Sequence, residues 1–244
     1  LEAARLGHRL IAHELRAAGV NGDFAPVLDT PAAGADPIVG DRAFAQTAEA
    51  IVAAARAALQ GLHEGGVAGC IKHIPGHGRA TVDSHLALPR VAEGLNELGA
   101  DFAPFRAFAS AEMAMTAHIV FTAIDPEHPA THSASVIGDV IRGAIGFKGL
   151  LASDDLDMKA LSGPLRRRAE KAFAAGCDIV LQCSGVIADM EAVVAGAPAL
   201  VGEAAKRAAR VEAIARKPPA PFDAAAAWWR FRQLMGPDVG LRLA

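Results

Sequence analysis

The chain lacks any surplus of charge. It has 27 acidic and 24 basic residues, a formal net charge of −3, and no basic block beyond Arg166-Arg167-Arg168. Coating a phosphate backbone needs a cationic excess, so nucleic acid is not the expected partner. Long apolar runs are missing as well. The Ala-rich stretches are interrupted by Arg, Glu or Gln every few residues, short of the ~20 apolar positions that a membrane span needs, and no membrane partner is expected. Cysteine is scarce: Cys70, Cys177 and Cys183 are odd in number and lack metal-type spacing. That pattern fits a reducing, cytoplasmic setting better than a disulfide framework. The opening Leu1-Glu2-Ala3-Ala4-Arg5 lacks the charged-then-apolar order of a secretory signal, and its non-methionine start reads as a truncation. A Gly-x-Gly-x-x-Gly after the first strand is absent too, which argues against a dinucleotide-binding fold.

What is present is a core. Of 244 residues 52% are apolar and 21% charged, enough for a globular domain. Helical and short apolar segments alternate. Residues 2–18 read as a helix ended by Gly19, and Phe24-Ala25-Pro26-Val27-Leu28-Asp29 as a strand closing on a carboxylate. A helix over 43–62 leads to a strand over 67–72. A helical region near 91–110 leads to a strand over 113–120, a helix with Val136, Ile137, Val140, Ile141 and Ile145 on one face leads to 149–153, and a helix over 165–175 leads to 178–183. Mostly helix follows. Five strands in this alternation predict a parallel sheet built of right-handed βαβ units, as a TIM (β/α)8-type barrel or an open doubly wound sheet. Asp29, Lys72-His73, His118 and Asp154 each fall at or just after a strand end, which favours the barrel. Since a barrel closes on eight strands, the expectation is a barrel lacking its N-terminal strands in this chain, with residues 1–244 as one N-terminally incomplete domain.

Two stretches carry the chemistry. The first is Lys72-His73-Ile74-Pro75-Gly76-His77-Gly78, followed by Asp83-Ser84-His85. A zinc site on His73, His77 and His85 is the weaker reading, because ligands so spaced usually ride on a helix or paired turns. A solvated surface loop is the bland alternative, weakened by four polar groups occurring together. The second is Ser153-Asp154-Asp155-Leu156-Asp157-Met158-Lys159. Asp154 sits at the strand end, Asp155 is expected to turn toward a neighbouring loop, and Asp157 reads as a solvated carboxylate near a helix start.

Both stretches closely resemble the signature segments of the bacterial β-N-acetylglucosaminidases of glycoside hydrolase family 3. Pro26-Val27-Leu28-Asp29, Gly40-Asp41-Arg42-Ala43-Phe44, Met115-Thr116-Ala117-His118 and Ala175-Gly176-Cys177-Asp178 match in the family's order. The resemblance implies a retaining exo-β-N-acetylglucosaminidase that needs no cofactor or metal and removes terminal N-acetylglucosamine from cell-wall muropeptides in peptidoglycan recycling. It implies Asp154 as nucleophile, His85 paired with Asp83 as general acid/base, and Arg42, Lys72 and His73 as sugar-binding residues. The chemistry agrees: a retaining glycosidase needs a nucleophile plus a group that protonates the leaving oxygen and then deprotonates water. Histidine, with a reference pKa of ~6.5, can do both, and a carboxylate two residues away can orient it. Arg42 also admits a plain surface ion pair. His77 is expected to order the loop, and Asp29 and His118 to lend supporting hydrogen bonds. The family's Asp-Gln-Glu-Gly-Gly stretch and nearby arginine do not occur here. That departure keeps open a sugar-binding remnant without turnover, and a histidine acid/base keeps open phosphorolysis in place of hydrolysis.

Overall fold

A computed structural model describes residues 1–236; the last eight positions of the expected 1–244 domain lie outside the described residues. Helix α1 (Glu2–Ala17) precedes the short strand β1 (Gly22–Asp23), and α2 (Ala48–Glu64) precedes β2 (Ala68–Ile74). Next come β3 (Arg90–Val91), α3 (Leu95–Arg106), β4 (Met113–Thr116) and β5 (Val120–Phe121). A π-helical segment, Val136–Ala144, leads to β6 (Leu150–Asp155), α4 (Leu165–Ala175) and β7 (Ile179–Leu181), then α5 (Ile187–Val194), α6 (Gly202–Ala215) and α7 (Ala224–Met235).

The described residues form a five-stranded, wholly parallel sheet in the order β1-β2-β4-β6-β7, while β3 and β5 pair separately. Strand order follows chain order without reversal. A doubly wound sheet reverses at a switch point, so this sheet is the arc of a half-barrel. The described residues form this arc and not a closed eight-stranded ring, in keeping with the expectation of a barrel without its N-terminal strands.

Alternation along the strands sorts side chains to two faces. Ile71, Ala114 and Leu151 join the main core with Ile51, Ala55 and Leu59 of α2, Phe102 and Phe105 of α3, Ile137 and Ile141, and Ala169 and Ala172 of α4. Their neighbours Cys70, Met113, Met115 and Leu150 point the other way, into a second cluster with Phe24, Ile179 and Leu181 that Ala208 and Val211 of α6 cover. One helix thus lies in the hollow of the arc.

Several boundaries differ from the periodicity. The segment expected as strand 24–29 runs beside β2, with Cys70 and Lys72 N–H donating to the Ala25 and Pro26 carbonyls and Leu28 N–H donating to Lys72. Only Gly22–Asp23 and a bridge at Val27 register as strand, because Pro26 has no N–H to keep a regular ladder. Helix α2 starts at Ala48 rather than 43, where Thr47 Oγ1 accepts from Ala50 N–H and caps it. The 113–120 strand splits at Ala117–Ile119: Met113–Thr116 stays in the sheet, and Val120–Phe121 pairs with Arg90–Val91, ahead of a shorter α3. Gly176 ends α4 at φ 117°, the left-handed position that glycine fills without strain.

Asp178, with a side chain only 6% exposed, ties three elements together. Its carboxylate accepts from the Leu151 N–H, Arg142 Nη2 and Arg207 Nη1 at 2.8–2.9 Å, joining β6, the π-helical segment and α6. Deleting one side of a buried ion pair strands the other charge. Asp178→Ala is expected to lower the unfolding free energy by about 3–5 kcal/mol in urea titrations monitored by circular dichroism.

Candidate active site at the strand ends

The polar residues collect at the C-terminal ends of β2, β4 and β6 and of the 24–28 segment beside β2. Asp29 is fully buried there. One carboxylate oxygen accepts the backbone N–H groups of His73 (3.2 Å) and His77 (2.7 Å), and the other accepts Nδ1–H of His73 at 2.7 Å. Burial pushes this carboxyl up, but the two histidines and these hydrogen bonds outweigh it and hold Asp29 below the usual carboxylate range. Because His73 gives its Nδ1 proton to Asp29, its Nε2 is left to face a ligand. Lys72, half-buried on β2, has no hydrogen-bond partner for its ammonium among the described residues.

The Gly-rich turn after β2 is shaped by backbone contact. A Cβ at Gly78 would fall 1.8 Å from the Thr30 carbonyl oxygen, so only glycine fits. Ala32 N–H donates to the Gly78 carbonyl and Asp36 N–H to that of Ala80, fastening the turn to the loop after Asp29. Beyond it, Asp83 Oδ1 accepts from both the backbone N–H of His85 (2.8 Å) and its Nδ1 (2.7 Å). Partial burial pushes the Asp83 carboxyl up, and these two bonds with the charge of His85 outweigh it and hold the group below its ordinary value. The His85 ring is 56% exposed, and Nε2 is its free nitrogen.

Asp154 is half-buried at the end of β6, with Oδ1 accepting from the Asp155 N–H at 2.8 Å. Its negative charge reaches His77 and His118. Asp155 turns aside as expected, its Oδ1 accepting the N–H of Cys183 beyond β7 and that of Asp157, which is exposed. Arg42, in the 3-10 turn Gly40–Arg42, is exposed and donates Nε and Nη2 to the Ile38 carbonyl. The surface ion pair considered for it is not made among the described residues. Nor do any three His, Cys, Asp or Glu side chains group as metal ligands among the described residues.

Sequence reasoning missed the hydroxyl chain behind His118. Its Nε2 lies 3.0 Å from the Asp155 carbonyl and its Nδ1 2.7 Å from Thr131 Oγ1, itself 2.8 Å from Thr116 Oγ1. A carbonyl only accepts, so Nε2 carries the proton and a neutral ring leaves Nδ1 as an acceptor for the Thr131 hydroxyl, which is also within 3.3 Å of the Ala117 carbonyl. Burial pushes the His118 pKa down, in keeping with a neutral ring. The signal for this chain was weak, since Thr131 lies 13 residues from its partner in an irregular loop. A cavity of about 700 Å³ lies elsewhere, between α2 and the α3–β4 connection, at the opposite end of the strands.

A parallel α/β half-barrel with carboxylates and histidines gathered at its strand ends is the class of domain that these features define. The chain belongs to glycosyl hydrolase family 3: residues 2–216 match that family's N-terminal domain. It is 48% identical over 180 residues to a beta-hexosaminidase of Alkalilimnicola ehrlichii, covering 72% of this chain and 51% of the relative. Over 181 residues it is 44% identical to a beta-hexosaminidase of Neisseria meningitidis, again with 72% and 50% covered. The chain thus spans about half the length of these curated relatives. Among solved structures it is similar to NagZ from Neisseria gonorrhoeae in complex with N-trifluoroacetyl-D-glucosamine, with a TM-score of 0.81 and 34% identity over 96% of this chain and 70% of that one. A family 3 beta-N-acetylglucosaminidase from Paenibacillus aligns at a TM-score of 0.74 and 32% identity, over 99% of this chain and 45% of that one. No helix among the described residues is long and apolar enough to cross a membrane.

Asp29 carries a pH dependence. Held below its ordinary value when folded, it binds its proton more weakly folded than unfolded. Its contribution to stability is complete above the unfolded value of about 3.9 and is lost as pH falls through the lowered folded value. Asp29→Asn should therefore melt below the parent at pH 7, and the gap in melting temperature should narrow as the pH of the scans is taken down toward 3.

Proposed function

We propose that the protein is a retaining exo-β-N-acetylglucosaminidase whose strands form an arc of a (β/α)8-type barrel, with residues 1–244 acting as one catalytic domain. The observation that carries this reading is the Asp83–His85 pair, hydrogen bonded at 2.7 Å with Nε2 free, on the loop that leaves a strand-end cluster containing Asp154. Asp154 attacks the anomeric carbon of a terminal N-acetylglucosamine residue, and His85 protonates the departing glycosidic oxygen. Neutral His85 then takes a proton from water, which displaces Asp154 and restores the starting configuration. Asp83 keeps the ring in the Nδ1–H tautomer and stabilises the imidazolium, as the orienting carboxylate does in a triad.

Arg42, Lys72 and His73 hold the sugar. Lys72 offers an ammonium without a protein partner among the described residues, which can donate to ring hydroxyls, and His73, with Nδ1–H engaged by Asp29, offers Nε2 to accept from one. Relatives named beta-hexosaminidase and a neighbour crystallised with an N-acylated glucosamine support this substrate class. A muropeptide fragment of the cell wall, cleaved in the cytoplasm during peptidoglycan recycling, is the substrate this reading favours.

The test is turnover of an aryl N-acetylglucosaminide. Asp154→Ala should lower kcat by about 10³-fold or more, and His85→Ala by about 10²–10⁴-fold, with the fold unchanged by circular dichroism. Wild-type turnover by Asp154→Ala would sink the assignment. Free N-acetylglucosamine should be the product with or without phosphate, whereas a sugar 1-phosphate would mark phosphorolysis. Sugar binding by calorimetry without turnover would mark a binding protein.

A further inference from the structure

The turn that carries Asp83 and His85 is almost detached from the rest of the molecule. Over residues 81–88, Thr81, Val82, His85, Leu86 and Ala87 are exposed, and Ser84 alone is buried, at 2% exposure. The backbone bonds in this stretch are internal, with Leu86 and Ala87 N–H donating to the Asp83 carbonyl. Asp83 Oδ1 accepts from the backbone N–H and Nδ1 of His85 within the same stretch. Among the described residues, a single hydrogen bond joins this stretch to the rest of the protein: His77 Nε2 with Ser84 Oγ, at 3.0 Å.

His77 is a fixed point. It is 3% exposed, its N–H is held by the Asp29 carboxylate, and its ring stands edge-on to His73 at 5.4 Å between centroids. Its side chain makes no other hydrogen bond, since Nδ1 is buried without a partner. Ser84 faces inward at 2% exposure while its neighbours Asp83 and His85 are half-buried and exposed. Whatever seats Ser84 inward therefore presents the pair outward.

We propose that Ser84 is a positioning residue for the Asp83–His85 pair, latching the turn through His77 and Asp29 to the strand ends that carry the nucleophile. The inference rests on the glycosidase reading for its consequence, though the latch itself is a matter of geometry. A latched turn keeps the acid/base near its working position between encounters, so the proton transfer does not wait on an ordering of the loop. The latch acts on the Asp83–His85 pair and not on Asp154, and so it matters most for the steps in which His85 moves a proton.

Two measurements test this on the chain with Ser84→Ala, using Ser84→Thr as the variant that keeps the hydroxyl. In amide hydrogen exchange, Ser84→Ala should speed exchange of residues 83–87 about tenfold, the scale of one lost hydrogen bond, while β2 and β6 exchange as before. Unchanged exchange over 83–87, or faster exchange throughout, overturns the latch. In turnover, an alkyl N-acetylglucosaminide, whose leaving group must be protonated, should lose about tenfold or more in kcat/KM. A 2,4-dinitrophenyl N-acetylglucosaminide, which leaves without a proton, should keep its kcat/KM, and Ser84→Thr should restore the alkyl substrate at least in part. Equal losses on both substrates overturn the positioning role. If the parent turns over neither substrate, the glycosidase reading fails, and the exchange experiment still decides whether Ser84 anchors the turn.

Discussion

The site depends on the carboxylate of Asp29. Buried without access to water, it accepts three hydrogen bonds from two residues that lie 44 and 48 positions later in the chain. Burying an unpaired carboxylate is expensive, so its three donors must be in place for the group to remain charged. Satisfying Asp29 therefore sets the course of the backbone from the end of β2 through His77. That course decides which nitrogen of His73 is free, where Gly78 meets Thr30, and where the turn with Asp83 and His85 begins. A single buried charge thus organises residues that are chemically active without being active itself.

Much of this was legible in the sequence, and the reasons are physical. The alternation of helical and short apolar segments predicted the parallel α/β class and five strands, because burial on both faces leaves apolar runs of strand length between amphipathic helices. Gly19 marked a helix end through its left-handed backbone. The strand-end rule drew attention to Asp29, Lys72, His73, His118 and Asp154 before any contact was known. What escaped notice were features with no local pattern. Two-residue strands such as Arg90–Val91 are too short to show a period, and their pairing with Val120–Phe121 is a tertiary choice. The hydroxyl chain through Thr116 and Thr131 and the anchoring bond at Ser84 join residues whose neighbours give no cue, since serine and threonine are at home in any loop. The ion pair considered for Arg42 gave way to a carbonyl of its own turn, four residues back, which a guanidinium reaches more readily than a distant carboxylate.

The two faces of the sheet divide the work between stability and chemistry. The helix-facing side holds most of the fully buried bulk, including Ile71, Leu151, Phe105 and Phe147, and is closed by α2, α3, the π-helical segment and α4. The hollow side is lined by Cys70, Met113, Met115 and Leu150 under α6, while Lys72 and the strand-end polar groups lie at its rim. Asp178 fixes the base of this arrangement through Arg142 and Arg207, at the end of the strands away from Asp154. Packing at one end and unsatisfied donors at the other can therefore be altered with little mutual effect, as expected for sites separated along a rigid strand.

The pairing of β3 with β5 has a mechanical side. The turn that carries Asp83 and His85 is tied at its start, where Asp36 N–H holds the Ala80 carbonyl, and at its end, where Val120 N–H holds the Pro89 carbonyl beside the β3–β5 pair. The chain between those moorings is a tether of nine links, and at ~3.5 Å per residue its contour is roughly 30 Å. A loop pinned at both ends can rise by no more than about half its contour, so roughly 15 Å bounds any displacement of His85 that leaves both moorings intact. The moorings act as a leash: even with the Ser84 bond broken, they would keep the imidazole within reach of the same rim.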